Sequence, residues 1–194
     1  MNAILLAGGE SSRFGSNKAF IELNNQLMVE KIVKKLNYHF TKVYLVAQNK
    51  DKYSFLKKDV IIVEDLIPGI GPLGGLYTGL KYSDSEKNYL TACDMPFLAD
   101  NYLRYLKKYD EDYDVLVGRY KGYFEPFAGV YKKSSLVAMD SALGRGERKI
   151  TDFYNDVNLK IISENKLKSI ADPEKIYFNI NYKSDLEQIN KFCS

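Results

Sequence analysis

Short apolar runs alternate along the chain with segments whose apolar residues recur at helical spacing. The continuous runs have the length of buried strands and lie at 3–6, 43–47, 60–63 and 88–93. Helical spacing occurs at 28–36 and 73–80, with a short helical piece near 53–56. Because strands that are apolar on both faces are typical of covered parallel sheets, the pattern predicts a Rossmann-like, mostly parallel sheet in a three-layer α/β/α sandwich.

The pattern changes after Pro96. A helix is predicted near 101–108, and strand-like runs at 113–120 and 124–131 are separated by a turn that contains Gly122. These two runs predict a small antiparallel excursion on the parallel sheet. The remaining predicted elements are a helix at 136–143, a strand at 159–162 and a last amphipathic helix that contains Leu186 and Ile189. Since no repeat or linker-like segment interrupts the pattern, residues 1–194 are expected to form a single domain.

Charge and composition exclude several classes of function. The 28 basic and 25 acidic residues are scattered and give a net charge of +3, which does not indicate a nucleic-acid-binding protein. No apolar stretch approaches the roughly 20 residues that span a bilayer, and the first run is too short for a signal peptide. We therefore expect a cytoplasmic protein with neither a membrane nor a nucleic acid as partner.

Few residues are available for metal clusters or acid–base chemistry. Cys93 and Cys193 are too far apart in the chain to indicate a disulfide framework or a metal cluster. The single histidine, His39, is expected at a helix end as a surface or capping residue. A Ser-His-Asp triad would have to use this one histidine, which makes that mechanism a poor fit.

The stretch LAGGESSRFGSNK begins where the first strand ends. Gly8 and Gly9 would let the backbone approach a ligand at the carboxyl edge of the sheet, where N–H groups can bind phosphate oxygens. Arg13 and Lys18 would add a bidentate contact and a compact positive charge. The spacing matches neither a Walker loop nor a G-x-G-x-x-G pattern. The structural alternative is a tight strand-to-helix turn with an exposed arginine and lysine.

A second glycine-rich loop, GPLGGL, follows the third predicted strand. Pro72 suits the first turn of a helix. Gly71, Gly74 and Gly75 would leave room for a flat base or a ribose. Alternatively, these glycines allow the helix to pack closely on the sheet.

The stretch TACDMP places Asp94 directly after a buried strand, and Pro96 prevents that strand from continuing. Asp94 is therefore expected at the same carboxyl edge. A single carboxylate beside phosphates is a common way to hold Mg²⁺, whose other ligands are water and phosphate oxygens. The alternative is an aspartate that only forms the turn.

These motifs, with the late NIN, resemble those of the molybdenum cofactor guanylyltransferases, the MobA family. The resemblance runs in the same order from residue 3 to about residue 185. It implies a nucleotidyltransferase with a glycosyltransferase-A-like fold. It also implies that GMP is transferred from GTP to molybdenum-loaded molybdopterin, with release of pyrophosphate. The first half of the chain would then bind the nucleotide, and the second half would form the side of the site that faces the second substrate.

The resemblance also implies roles for individual residues. Leu6, Ala7 and Gly8 would contact the guanine nucleotide, with Gly9 beside them, and Lys18 would contact its phosphates. Asp65 matches a nucleotide-binding aspartate, and Asp94 matches the residue that binds GTP and Mg²⁺, for which Mn²⁺ could substitute. Asn179 and Asn181 match an N-x-N near the metal and phosphates, and FEPFAGVY matches a segment on the pterin side.

The implied reaction needs no general base, because the attacking phosphate of molybdopterin is already anionic. Catalysis would rest on Asp94 with its metal and on Lys18 and Arg13, which would neutralise the triphosphate. Arg145, Arg148 and Lys149 are candidates for receiving the phosphate of the second substrate. The alternative for these three is a solvated, charged helix start.

Three other functions remain open at this point. The chain could be a molybdenum cofactor cytidylyltransferase, a sugar-phosphate nucleotidyltransferase, or a GTP-binding carrier in molybdoenzyme assembly without turnover. The expected partners are GTP and a molybdopterin-type substrate. Other proteins of molybdenum cofactor biosynthesis or molybdoenzyme assembly are candidate protein partners.

Overall fold

The computed structural model describes residues 1–7, 18–22, 25–182 and 184–185. Seven strands form one sheet in the order β3-β2-β1-β4-β6-β5-β7. Their bounds are β1 Asn2–Leu6, β2 Val43–Ala47, β3 Ile61–Glu64, β4 Lys87–Ala92, β5 Val115–Tyr120, β6 Tyr123–Lys132 and β7 Leu159–Ile162. Only β6 runs antiparallel to its neighbours, β4 and β5. The mostly parallel sheet with a small antiparallel excursion is therefore confirmed.

Helices cover both faces of this sheet. Their bounds are α1 Met28–His39, α2 Pro72–Tyr82, α3 Asp100–Lys108, α4 Leu136–Gly144, α5 Glu164–Ile170 and α6 Pro173–Ile176. Short 3-10 helices lie at Lys18–Phe20, Lys50–Leu56, Lys133–Ser135 and Ile150–Asp156. None of the helices in the described part of the chain is long and apolar enough to cross a membrane.

The sheet separates two hydrophobic cores, because successive side chains of a strand point to opposite faces. Leu5 of β1 packs into the core formed with α1 and α3, whereas Ile4 and Leu6 pack into the core formed with α2 and α4. All five residues of β1 are buried. The predicted three-layer α/β/α sandwich is confirmed.

Strands β4 and β6 stop pairing before the carboxyl edge of the sheet. They pair over Lys87–Tyr89 and Val130–Lys132, whereas β6 pairs with β5 from Tyr123 to Tyr131 with one irregularity. The β5–β6 turn contains Lys121 at φ 49° and Gly122 at φ 86°, as the predicted glycine turn requires. We call the space between residues 92–94 and residues 123–127 the β4–β6 cleft.

The structure corrects one expectation and leaves another untested. His39 is the last residue of α1, but it is buried, and its Nε2 lies 2.7 Å from Oδ1 of Asp100 on α3. It is therefore a structural contact between two helices rather than a surface residue. The predicted amphipathic helix with Leu186 and Ile189 lies outside the described residues.

Candidate active site

Three segments that are distant in sequence meet at the carboxyl edge of the sheet. Lys18 Nζ donates to Asp94 Oδ2 over 3.1 Å and to Asn181 Oδ1 over 3.0 Å. Lys18 begins a 3-10 helix after β1, Asp94 follows β4, and Asn181 lies beyond α6. The structure thus brings together the three residues that the first, third and last motifs supply.

The backbone around Asp94 is fixed on both sides. Cys93 N–H donates to the Leu6 carbonyl over 3.1 Å, which continues the pairing of β4 with β1. The Asp94 carbonyl then accepts from Ile180 N–H over 2.9 Å, so the segment that carries Asn181 is tied directly to Asp94. Met95 is buried, with 2% of its surface exposed, and anchors the turn in the core.

The Lys18–Asp94 pair is open to solvent and to ligands. The side chains are 17% and 27% exposed, respectively, so neither charge is fully desolvated. The adjacent Cys93 is buried, and burial raises the pKa of its thiol well above the ordinary value. A protonated, buried thiol is a poor nucleophile, so the reactive groups of this edge are the amine and the carboxylate.

Asp65 is held in place by a buried threonine of α2. Thr78 Oγ1 donates to Asp65 Oδ1 over 2.9 Å and accepts from Leu66 N–H over 3.0 Å. Asp65 Oδ1 also accepts from Ile67 N–H over 3.1 Å. The sequence analysis did not predict the role of Thr78 in holding Asp65. A hydroxyl on the apolar face of a predicted helix is nevertheless a signal, because a buried hydroxyl needs a hydrogen-bond partner.

The glycines of α2 allow the helix to approach the sheet closely. An added Cβ at Gly75 would lie 3.2 Å from the Leu6 side chain, and one at Gly79 only 2.5 Å from Ile4. Gly71, at φ 87°, precedes the helix in a conformation that side chains rarely adopt. Close packing therefore accounts for Gly75, and its contact with a nucleotide, like that of Gly71, stays a prediction.

The remaining nucleotide-binding candidates lie at the end of β1. Leu6 and Ala7 are buried there, and Tyr53 Oη donates to the Ala7 carbonyl over 2.7 Å. This bond fixes the direction in which the chain leaves the strand. Gly8, Gly9 and Arg13 lie outside the described residues, so their roles stay predictions.

The basic segment after α4 divides into two parts. Arg145 forms ion pairs of 2.8 Å with Glu147 and 3.0 Å with Asp156, which anchor it to its own loop. Arg148 and Lys149 instead line a cavity of about 290 Å³. We call it the Phe127 cavity, and its other lining residues are Pro72, Pro126, Phe127, Ile150 and Thr151. Arg148 and Lys149 are thus the two cations of this segment that remain available to a ligand there.

Of the two late asparagines, only Asn181 contacts the Lys18–Asp94 pair. Asn179 is half-buried, and its Nδ2 donates to the Tyr177 carbonyl over 3.4 Å. The Asn181 backbone N–H donates to Asp185 Oδ2 over 2.7 Å, and Tyr182 N–H donates to the same oxygen over 2.8 Å. This turn holds Asn181 beside Lys18.

Comparison with known proteins decides the family. The family described as MobA-like NTP transferase domain matches residues 3–158. The chain is a member of this family. A probable molybdenum cofactor guanylyltransferase of Carboxydothermus hydrogenoformans is 39% identical over 194 residues, which cover 100% of this chain and 97% of the relative. Another, of Pelotomaculum thermopropionicum, is 34% identical over 94% of this chain and 88% of its own.

A solved structure agrees with this MobA-like assignment. Molybdopterin-guanine dinucleotide biosynthesis protein A of Archaeoglobus fulgidus matches with a TM-score of 0.85 at 25% identity, over 100% of this chain and 98% of that one. The resemblance drawn from the sequence motifs is confirmed. The chain is therefore a nucleotidyltransferase enzyme with the fold of the MobA-like family.

Proposed function

We propose that this chain transfers GMP from GTP to molybdenum-loaded molybdopterin and releases pyrophosphate. The observation that carries this proposal is the Lys18–Asp94–Asn181 cluster at the carboxyl edge of a MobA-like sheet. The names of the relatives point to the same reaction. A cytoplasmic location and protein partners in cofactor assembly remain predictions.

The reaction asks the protein to position two polyanions rather than to move a proton. The terminal phosphate of molybdopterin carries its own negative charge and can attack the α-phosphorus of GTP directly. The P–O bond to the β-phosphate then breaks, and pyrophosphate leaves with the electron pair. The main obstacle is charge repulsion, which Lys18 reduces by binding phosphate oxygens in place of Asp94.

The donor atoms at this edge fit Mg²⁺, which prefers oxygen ligands. Asp94 would hold it, with the amide oxygen of Asn181 close by. Within the described ranges, no group of three or more His, Cys, Asp or Glu residues could bind a metal ion without the substrate. Phosphate oxygens and water would therefore complete the coordination. When bound, Mg²⁺ neutralises charge on the triphosphate and the leaving pyrophosphate.

The second substrate would enter from the side of the β4–β6 cleft. Arg148 and Lys149 are exposed at the Phe127 cavity and would receive its phosphate. Arg145 is engaged by Glu147 and Asp156, which makes it a support for this loop. Substituting both Arg148 and Lys149 should therefore weaken the binding of molybdopterin. Substituting Arg145 should mainly lower the stability of the folded protein.

The deciding experiment offers each nucleoside triphosphate with Mg²⁺ and molybdenum-loaded molybdopterin and follows pyrophosphate and the dinucleotide product. We expect both products with GTP. Preference for CTP would indicate a molybdenum cofactor cytidylyltransferase. Turnover with a sugar phosphate as second substrate would indicate a sugar-phosphate nucleotidyltransferase. Binding of GTP without any dinucleotide would indicate the carrier function instead.

A further inference from the structure

Glu125 is an acidic residue of β6 whose carboxyl group has no partner among the described residues. Its carboxyl group is half-buried, and it forms no hydrogen bond or ion pair with any other residue of the described part. Burial raises the pKa of this carboxyl to about 7. A desolvated carboxylate that nothing compensates is unfavourable for folding alone, and such groups are concentrated at functional sites.

The backbone on either side of Glu125 is held from both faces of the sheet. Tyr131 Oη donates to the Pro126 carbonyl over 2.9 Å and lies 2.7 Å from Tyr154 Oη. From the other face, Tyr102 Oη donates to the Ala128 carbonyl over 2.8 Å. Buried tyrosine hydroxyls thus fix the segment that carries Glu125, as a binding residue requires.

Glu125 lies on the β6 side of the β4–β6 cleft, and its surroundings lead to the candidate active site. Burial, and to a smaller extent the nearby Glu125 carboxylate, raises the pKa of the Tyr102 and Tyr177 hydroxyls. Tyr177 begins the stretch in which Ile180 N–H bonds to the Asp94 carbonyl. Because three residues of chain span at most about 10 Å, Tyr177 links the surroundings of Glu125 to those of Asp94.

Resting on the proposed function, we propose that the Glu125 carboxylate binds the pterin ring of the second substrate, accepting hydrogen bonds from its 2-amino group and N3–H. These two donors point in the same direction, so both oxygens of one carboxylate can accept from them. Phe127, two residues along β6, packs against both cores and lines the Phe127 cavity, so an aromatic side chain lies near the proposed site. Glu125 would therefore select a pterin over second substrates that lack this donor pair.

The test compares Glu125→Gln with the wild-type chain, because glutamine keeps the shape but replaces one acceptor with a donor. Glu86→Gln is the matched control, since Glu86 is exposed at the amino end of β4. Dinucleotide formation is measured while GTP and molybdenum-loaded molybdopterin are varied separately. We expect the KM for molybdopterin to rise about tenfold or more in Glu125→Gln, with the KM for GTP unchanged.

A binding measurement without turnover gives a second readout. Anaerobic calorimetric titration of molybdopterin, without GTP, should show a matching loss of affinity in Glu125→Gln and partial recovery in Glu125→Asp. An unchanged KM and affinity for molybdopterin would overturn the inference, as would a higher Mg²⁺ requirement with molybdopterin binding intact. If the wild-type chain forms no dinucleotide but still binds molybdopterin through Glu125, the proposed function fails and the inference stands.

Discussion

At the scale of single residues, the candidate site centres on the Lys18–Asp94 ion pair. Lys18 bonds to both Asp94 and Asn181, so the positive and negative charges of the ion pair largely cancel. A triphosphate with its metal would compete for both partners. We therefore expect substrate binding to rearrange these two side chains.

Asp94→Asn keeps the size of the side chain and removes its charge. We expect kcat to fall by about 100-fold or more, because metal-assisted charge stabilisation is lost at the transition state. The affinity for GTP should change much less, since other groups also contact the nucleotide. Pyrophosphate release and calorimetry measure the two quantities, and Asp110→Asn, at an exposed loop position, is the control. Near-normal turnover in Asp94→Asn would show that this residue does not hold the metal.

We expect Thr78 to be a positioning residue, because its hydroxyl bonds to Asp65, a predicted nucleotide-binding residue. Thr78→Val removes the hydroxyl that bonds to Asp65 Oδ1 while nearly preserving the buried volume. The KM for GTP should rise about tenfold, the effect of one lost hydrogen bond to a charged group. Thr78→Ser keeps the hydroxyl and should restore the KM even if it lowers thermal stability. A change in stability alone, with the KM for GTP unchanged in both variants, would limit Thr78 to a structural role.

At the scale of secondary structure, the parallel strands were predictable because they are buried on both faces and therefore apolar throughout. The elements at Ile150–Asp156 and Glu164–Ile170 were not predicted. The first is a short 3-10 helix whose backbone is held by Asp152, and the second begins at a Ser163 cap on Lys166 N–H. Neither has enough turns to produce a clear periodic pattern, so local bonds and tertiary packing determine them.

The contact between α2 and β1 gives a prediction at the same scale. In Gly79→Ala the added Cβ would lie 2.5 Å from Ile4 Cγ2, so the helix or the strand must move. We expect a loss of about 1–3 kcal/mol in the free energy of unfolding, as for other overpacked cores. Gly144→Ala is the control, because nothing lies within 4 Å of its added Cβ and it should be neutral or slightly stabilising. Urea denaturation measures both, and equal stability of the two variants would contradict the close approach.

At the scale of the whole molecule, the sequence motifs contain most residues of the candidate site but do not show how these residues are arranged. Asp94 was predictable because it directly follows a strand, and Asn181 because it belongs to a recognisable motif. The β4–β6 cleft could not be predicted, since it depends on where two strands stop pairing. The same limit applies to Arg148, whose place at the Phe127 cavity depends on Pro72 and Phe127, which are distant from it in the sequence.

The pH dependence of stability tests whether Glu125 is strained in the folded chain. Its pKa rises from about 4.5 to about 7 on folding through burial, so the folded state binds this proton more tightly than the unfolded chain. Its contribution to stability is therefore full below pH 4.5 and is lost as the pH rises to about 7. Tyr102 and Tyr177, which face it, stay neutral in this range because burial raises their pKa values.

Glu125→Gln removes this titration, so it should be more stable than the wild type above pH 7, by about 1 kcal/mol after allowance for solvent screening. Below pH 4.5 the two proteins should be equally stable apart from a constant offset. Hydrogen bonds to Lys42 and Lys35 are the main reason that the pKa values of Asp84 and Asp100 are lowered to about 2. The stability that these two carboxylates contribute is lost only at more acidic pH, and it is lost equally in both proteins. Thermal unfolding from pH 4 to pH 9 measures the difference. A difference independent of pH would mean that the Glu125 carboxylate is already compensated in the folded chain, and a carboxylate so compensated would not be free to bind a pterin.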